Sequence, residues 1–380
     1  MLLTRISSYV LVACTGVLAC QANAQNVVDA VTNGNFSQGN SGFVSQYTYT
    51  AAAAGLDNQA GEGRFGISDP GASPPITPNY LHKAFLTSLG SIPEGGRAMI
   101  VNGYSTRSVP AVPNSVVWSQ PVQLIAGVTY TLQGSATSVI SSNMASVNQA
   151  LPTLEFQLTD APVTPDAQTG CMAQEGTLVG TLKPNPLTPA APGPVSADIN
   201  ASADWKTFTQ TVSRPQSGTY CLRIYNETEL PQGNDFALAG ISLRGSVATP
   251  VAVDDTFNTD VNTPITNATV VTNDPAAPAD AQYVLQTPLP QGQGTLTFND
   301  DGTFSYSPDG YVGQTTFTYV VCTGFDPNKI CSEPATVTIT VRDTVVTPPS
   351  TPASVPTLGL WGLMGLSALL GFLGMARRRG

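Results

Sequence analysis

Hydrophobic and polar positions alternate along much of this chain in short runs, separated by Gly, Pro, Asn and Asp. The clearest runs are Gly294-Thr-Leu-Thr-Phe298, Thr303-Phe-Ser-Tyr306, Thr315-Thr-Phe-Thr-Tyr-Val-Val321 and Ala335-Thr-Val-Thr-Ile-Thr-Val341. A period of two is that of a strand with one buried face. It turns Leu296 and Phe298 inward and the threonines outward. Asp300-Asp-Gly302 joins the first two runs as a hairpin, because Asp-Gly tolerates the positive φ of a tight turn. Earlier runs include Val117-Trp-Ser-Gln120, Val128-Thr-Tyr-Thr-Leu132, Trp205-Lys-Thr-Phe208 and Thr219-Tyr-Cys-Leu-Arg-Ile-Tyr225. No helical period is sustained between residues 25 and 343, and 35 Gly and 31 Pro keep the segments short. The pattern predicts an all-β protein of two β-sandwich domains, residues 25–248 and 249–343. A Ser/Asn-rich stretch at 137–150 and a Pro-rich one at 161–204 interrupt the first. Loops of that length are functional or disordered.

The two ends follow other patterns. Residues 1–24 place Arg5 before the apolar run from Tyr9 to Cys20 and close on Ala22-Asn-Ala24, the order of a secretory signal peptide cleaved after Ala24. Leu11-Val-Ala-Cys14 and Val17-Leu-Ala-Cys20 keep lipoprotein processing open as the alternative. Residues 344–354 form a Pro/Ser/Thr linker, extended in the polyproline sense. Thr357 to Ala376 then runs without a charge, long enough for a transmembrane helix across a bilayer core of about 30 Å. Arg377, Arg378 and Arg379 follow it and belong on the cytoplasmic side, which places the rest of the chain beyond the inner membrane.

Val355, Pro356, Thr357 and Leu358, with Trp361 and Gly362, then the hydrophobic segment and the arginines, resemble the IPTL-type C-terminal sorting signal (residues 355–380). In that family the tail is recognised by an exosortase, a membrane processing enzyme of Gram-negative bacteria associated with exopolysaccharide production. Here Val replaces the usual Ile. The resemblance implies a cell-envelope, outer-surface or matrix location, with the inner membrane only a transient partner. Permanent anchoring by the same helix is the other reading.

Ala252-Val-Asp-Asp255, Asn273-Asp274, Gly294-Thr-Leu296, Asp301-Gly-Thr-Phe-Ser-Tyr-Ser-Pro308 and Gly313-Gln-Thr-Thr-Phe-Thr-Tyr319 resemble the bacterial Ig-like, cadherin-like repeat of large surface proteins. Val31-Thr-Asn-Gly-Asn-Phe36, the tryptophan-bearing runs and the closing Gly233-Asn-Asp-Phe-Ala-Leu-Ala-Gly-Ile-Ser242 resemble the carbohydrate-binding-module-like or galactose-binding-like jelly roll. The expected fold is therefore a jelly-roll-like β-sandwich followed by an Ig-like β-sandwich. In the jelly-roll family the opening segment lies beside the closing strand, where an acidic residue often helps hold calcium. Ala239-Gly240 replace the usual acidic pair here, so that site is not carried over.

Composition narrows the chemistry. With 15 basic and 25 acidic residues the net charge is −10, which argues against nucleic acid as a partner. The second sandwich is the more acidic, with eleven acidic residues against Lys329 and Arg342. His82 is the single histidine, read as an exposed loop residue, which leaves little scope for His-based catalysis or metal sites. Neither a Gly-rich phosphate loop nor a nucleophile elbow occurs. Beyond the signal, Cys171, Cys221, Cys322 and Cys331 remain. Export favours disulfides, and pairing within each domain gives Cys171–Cys221 and Cys322–Cys331. No C-x-x-C spacing supports metal binding by these cysteines.

Asp254, Asp255, Asp274, Asp300 and Asp301 are candidate calcium ligands, or turn residues with no ion; calcium is the one possible cofactor. Trp118 and Trp205 are candidates for a sugar-stacking platform, or else core. The expected function is non-catalytic, either structural and adhesive or glycan-binding, with exopolysaccharide or another glycan as partner. The alternative is a polysaccharide-active hydrolase using paired carboxylates, for which Glu155, Asp160 and Glu227 are in no distinctive context.

Overall fold

A computed structural model describes residues 25–51, 63–72, 75–82, 85–103, 115–139, 152–166, 169–172, 176–183, 203–227, 234–275, 280–326 and 328–343, with Gly362, Met364, Gly365, Ser367 and Ala368. The signal peptide, the linker and all of the sorting residues except Gly362 lie outside that set. Among the described residues no helix is long and apolar enough to cross a membrane, and three quarters of the expected span at 357–376 falls outside them.

About half of the described chain is strand, and almost none of it is helix. The first sandwich uses Gln25–Asp29 (β1), Thr48–Tyr49 (β2), Arg64–Ile67 (β3), Met99–Asn102 (β4), Ser115–Leu124 (β5), Tyr130–Ser138 (β6), Leu154–Leu158 (β7), Thr177–Leu182 (β8), Lys206–Val212 (β9), Gly218–Asn226 (β10) and Phe236–Ala248 (β11), with one short helix, Pro78–Leu81. One sheet runs β2-β3-β4-β11-β6-β9, with β1 also on β11; the other runs β5-β10-β7-β8. Between them lies a core that includes Trp118, Tyr130, Phe156, Tyr220, Phe236 and Leu238.

Several strands of this sandwich, β10 and β11 among them, are buried on both faces, which hides their alternation. In β11, Phe236 and Leu238 enter the main core, while Ala237 and Ala239 pack on a second cluster with Phe85, Leu89 and Ile100. Its sequence therefore reads as a continuous apolar run. In β10, Tyr220, Leu222 and Ile224 face the core. Cys221 and Arg223, on the opposite face, are buried as well, because the segment around Val163 to Met172 folds over them.

One edge of β11 is shared. Its first residues pair with β4 (Phe236 to Leu238) and its last with β1 (Arg244 to Ala248). Between the two the register against β6 shifts, and Gly240 there has φ +61°, a left-handed conformation suited to glycine. The edge thus carries a notch.

The second sandwich uses Asp255–Asp260 (β12), Ile265–Thr269 (β13), Gln282–Thr287 (β14), Thr295–Phe298 (β15), Thr303–Ser307 (β16), Gly313–Thr323 (β17), Ile330–Cys331 (β18) and Ala335–Arg342 (β19). Its sheets run β12-β19-β17-β14, with β18 on β17, and β13-β16-β15. Alternation is plain in β19, where Ala335, Val337, Ile339 and Val341 enter a core with Phe304, Tyr306, Phe317 and Tyr319. Gly302 takes φ +80° in the turn expected between β15 and β16.

Candidate functional site

Both expected disulfides are present, Cys171–Cys221 and Cys322–Cys331. The first pins the end of the Val163–Met172 segment to β10, where Arg223 Nη1 donates to the Met172 carbonyl at 3.4 Å and Val163 N donates to Thr219 O at 2.7 Å. The second closes the loop between β17 and β18.

The aromatic candidates do not form a sugar platform. Trp118 is fully buried in the main core, its ring stacked 6.3 Å from that of Phe43, so neither face meets a ligand. Its indole N–H finds no hydrogen-bond partner among the described residues. Trp205 is half-buried against the second cluster and donates from Nε1 to Leu89 O at 3.0 Å. The two rings belong to different cores. His82 is half-buried, not exposed as expected, with its ring 5.0 Å from that of Phe85, and burial lowers its pKa.

Of the carboxylates weighed for hydrolysis, the fold brings two together. Glu155 lies opposite Tyr225 in the β7–β10 pairing, and Glu227 follows one residue past the end of β10. Burial, a hydrogen bond to Glu155 and the charge of Glu155 all raise the pKa of Glu227. Asp160 stands apart, accepting from Thr177 Oγ1 at 2.6 Å and pairing with Arg214 at 3.8 Å.

The five aspartates proposed for calcium divide into two groups. Asp301 caps its own turn, accepting from Thr303 N at 2.9 Å and Thr303 Oγ1 at 2.6 Å, while the Asp300 carbonyl accepts from Tyr283 N at 2.9 Å. Asp255 and Asp274 instead face the Tyr319 hydroxyl, which lies 3.2 Å from Asp255 Oδ2, 3.2 Å from both Asp274 oxygens and 3.1 Å from Val253 O. A phenol has one proton for all these acceptors. Burial first, and then the charges of Asp274 and Asp254, push the Asp255 pKa up to about 6 against the opposing Tyr319 hydrogen bond. Burial also raises Asp274. Asp254 is turned aside, accepting from Thr336 N at 2.7 Å. Among the described residues no group of three or more His, Cys, Asp or Glu side chains is arranged to hold a metal.

Sequence reasoning missed the notch on β11. Asp29 ends β1, and its Oδ1 accepts from Val31 N and Leu243 N. Arg244 donates from Nε to Asp29 Oδ2 at 3.1 Å and forks onto Glu94, Nη1 to Oε1 at 3.2 Å and Nη2 to Oε2 at 2.8 Å. These partners lie 215 and 150 residues from Arg244 in sequence. The guanidinium thus ties the opening segment to the closing strand, beside the position where Ala239-Gly240 replace an acidic pair.

The architecture defines the class: an all-β protein of two sandwiches, each holding one disulfide. Residues 248–343 match the family model described as a bacterial cadherin-like domain, and residues 353–380 match the IPTL-CTERM motif. Comparison with curated proteins finds no match. Among solved structures, the chain is similar to a xylan-binding CBM22-1 domain from Paenibacillus barcinonensis (10% identity, 59% of this chain and 97% of that one, TM-score 0.26). It is also similar to a cleaved adhesin domain of Lys-gingipain from Porphyromonas gingivalis (9% identity, 59% of this chain and 98% of that one, TM-score 0.29). TM-scores this low carry no inference about function.

Proposed function

We propose that this chain is a secreted, non-catalytic surface protein of a Gram-negative bacterium, sorted by an exosortase, in which a glycan-binding first sandwich is carried on the cadherin-like one. The observation that carries the reading is the coincidence, in one chain, of a cadherin-like domain at 248–343 with an IPTL-CTERM motif at 353–380. A sorting motif has use only on an exported protein, and the leader-like residues 1–24 supply the matching export signal. Two internal disulfides fit an oxidising compartment. The strand pairing supports a division near residue 248, since among the described residues no sheet mixes strands from the two sides.

The hydrolase reading is the weaker one. Glu155 raises the pKa of Glu227, but neither residue lines the notch on β11. The deciding experiment is peptide mapping of the mature C-terminus in cells with and without the processing enzyme. Sorting predicts loss of everything after the Val355-Pro-Thr-Leu358 element in the first case only. A retained Arg377-Arg-Arg379 tail in both would refute exosortase processing. Turnover of exopolysaccharide by the purified protein, abolished by Glu155→Gln, would overturn the non-catalytic assignment.

A further inference from the structure

The notch on the β11 edge is a cleft of about 280 Å³ lined by Asp29, Asn33, Asn35, Glu94, Gly240 and Arg244, with Val31, Gly34 and Ile241 at its floor. Its walls are set by backbone. Asn33, Glu94 and Gly240 all take left-handed φ angles, 53°, 61° and 61°. A Cβ on Gly34 would collide with the Ile241 carbonyl, so the opening segment lies directly against the bulge. On the other rim, Arg97 N donates to Asn35 O at 2.9 Å and fixes the Glu94 turn in place.

The hydrogen-bond capacity left in this cleft is mixed. Arg244 has five N–H groups and spends three on Asp29 and Glu94. Asn35 accepts from Ser37 N through Oδ1, and its amide N–H groups have no partner among the described residues. One acceptor position remains on Asp29 Oδ2 and one on Glu94 Oε2. A free anion entering here meets two carboxylates. A metal cation meets a guanidinium and N–H groups that cannot coordinate it. A neutral polyol suffers neither conflict, because every hydroxyl both donates and accepts. The volume lies just below the usual range of small-molecule sites, about 300–1,000 Å³, and suits one sugar ring better than a stretch of polymer.

We infer that this cleft binds a single neutral hexose unit, presented at the end or branch of a glycan; the inference rests on the glycan-binding reading above and assigns it a site. Asn35 and Arg244 donate to the sugar hydroxyls, and Asp29 and Glu94 accept from them. With no aromatic side chain in the lining, the contact depends on hydrogen bonds alone.

The test is saturation-transfer NMR and calorimetry of the secreted protein against a panel of free neutral hexoses, with an exopolysaccharide pull-down in parallel. Saturable binding of at least one hexose is expected, weakened tenfold or more by Asn35→Ala. Asn35→Ala leaves the Arg244 ion pairs intact and removes only the exposed bond from Ser37 N, so its melting temperature should fall by no more than a few degrees. Glu94→Gln is the second variant, expected to weaken binding while a fold checked by disulfide mapping and circular dichroism is retained. Polysaccharide binding that survives both variants, or occurs without any hexose binding, overturns the cleft assignment and leaves the glycan reading standing. Absence of both hexose and polysaccharide binding overturns the two together.

Discussion

Replacing Asp255 by Asn tests the electrostatics of the second sandwich directly. In the folded protein Asp255 shares the Tyr319 hydroxyl with Asp274, and its pKa rises from 3.8 to about 6. A carboxyl whose folded pKa lies above its unfolded value holds its proton more tightly when folded. Its contribution to stability is fully present below pH 3.8 and is lost as the pH rises through about 6. Two units correspond to about 3 kcal/mol at full value. Asp255 is only partly buried, and solvent screening brings the figure to roughly 1 kcal/mol. Asparagine has no charge to desolvate and offers its amide to Asp274. At pH 7.5, Asp255→Asn should therefore raise the midpoint of the second sandwich by roughly 4–8 °C, the usual shift per kcal/mol for a domain of this size. At pH 4, where the native carboxyl is already protonated, the gain should shrink towards zero. Scanning calorimetry in EDTA at both pH values measures this. A variant no more stable than wild type at pH 7.5, or equally stabilised at both, would refute the reasoning.

Further outcomes follow from the same geometry. Removing the Cys171–Cys221 bridge (sequence separation 50) by double Ser substitution should destabilise the first sandwich by about 4 kcal/mol, against about 2.7 kcal/mol for Cys322–Cys331 (separation 9) in the second; urea melts that reverse this order would contradict the loop-entropy argument. Trp118→Ala should lose about 3–5 kcal/mol as a core truncation. Trp118→Phe should lose less, because it keeps most of the buried ring while removing the same N–H, and a loss as large as that of the alanine variant in denaturation would refute the packing argument. EGTA should leave the melting midpoint unchanged at pH 7.5, since Tyr319 occupies the space between Asp255 and Asp274 and Asp301 is spent on its turn; a fall of several degrees would restore calcium as a structural ion.

Local chemistry was legible in the sequence and long-range geometry was not. The expected runs became β15, β16, β17 and β19 because each has one buried face, so a period of two survives in the residues themselves. Asp300-Asp-Gly302 turned where expected, since Gly302 needs a left-handed φ whatever surrounds it. Both disulfides followed from export and proximity in sequence. By contrast, β10 and β11 lost their alternation to second coverings. The parallel pairing of β12 with β19 leaves no local trace. The contact of Glu155 with Glu227 depends on register across two strands, and the cleft depends on Arg244 meeting residues more than a hundred positions away. The Asn33-Gly34-Asn35 string and Gly240 were the visible clues. Only the meeting of the two segments gives them a shared purpose.

The two coverings also bear on where recognition can occur. On one sheet, Phe85, Leu89 and Ile92 pack over Ile100, Ala237 and Ala239, with Trp205 tied to Leu89. On the other, the segment ending at the Cys171–Cys221 bridge lies over Cys221 and Arg223. An extended polysaccharide chain lying across a sheet needs an open face with aromatic side chains, and the large aromatics of this sandwich are largely turned into its cores. The notch between β4 and β1 offers the opposite arrangement, a concave polar edge beside a long central strand paired with β1, β4 and β6. A site of that kind reads one sugar at a time and binds it weakly. On the glycan-binding proposal, firm adhesion would come from many copies engaging one glycan at once, since linked weak sites gain affinity through effective concentration rather than new contacts. Display of the chain at high density on a surface, which is what C-terminal sorting would accomplish, supplies that condition.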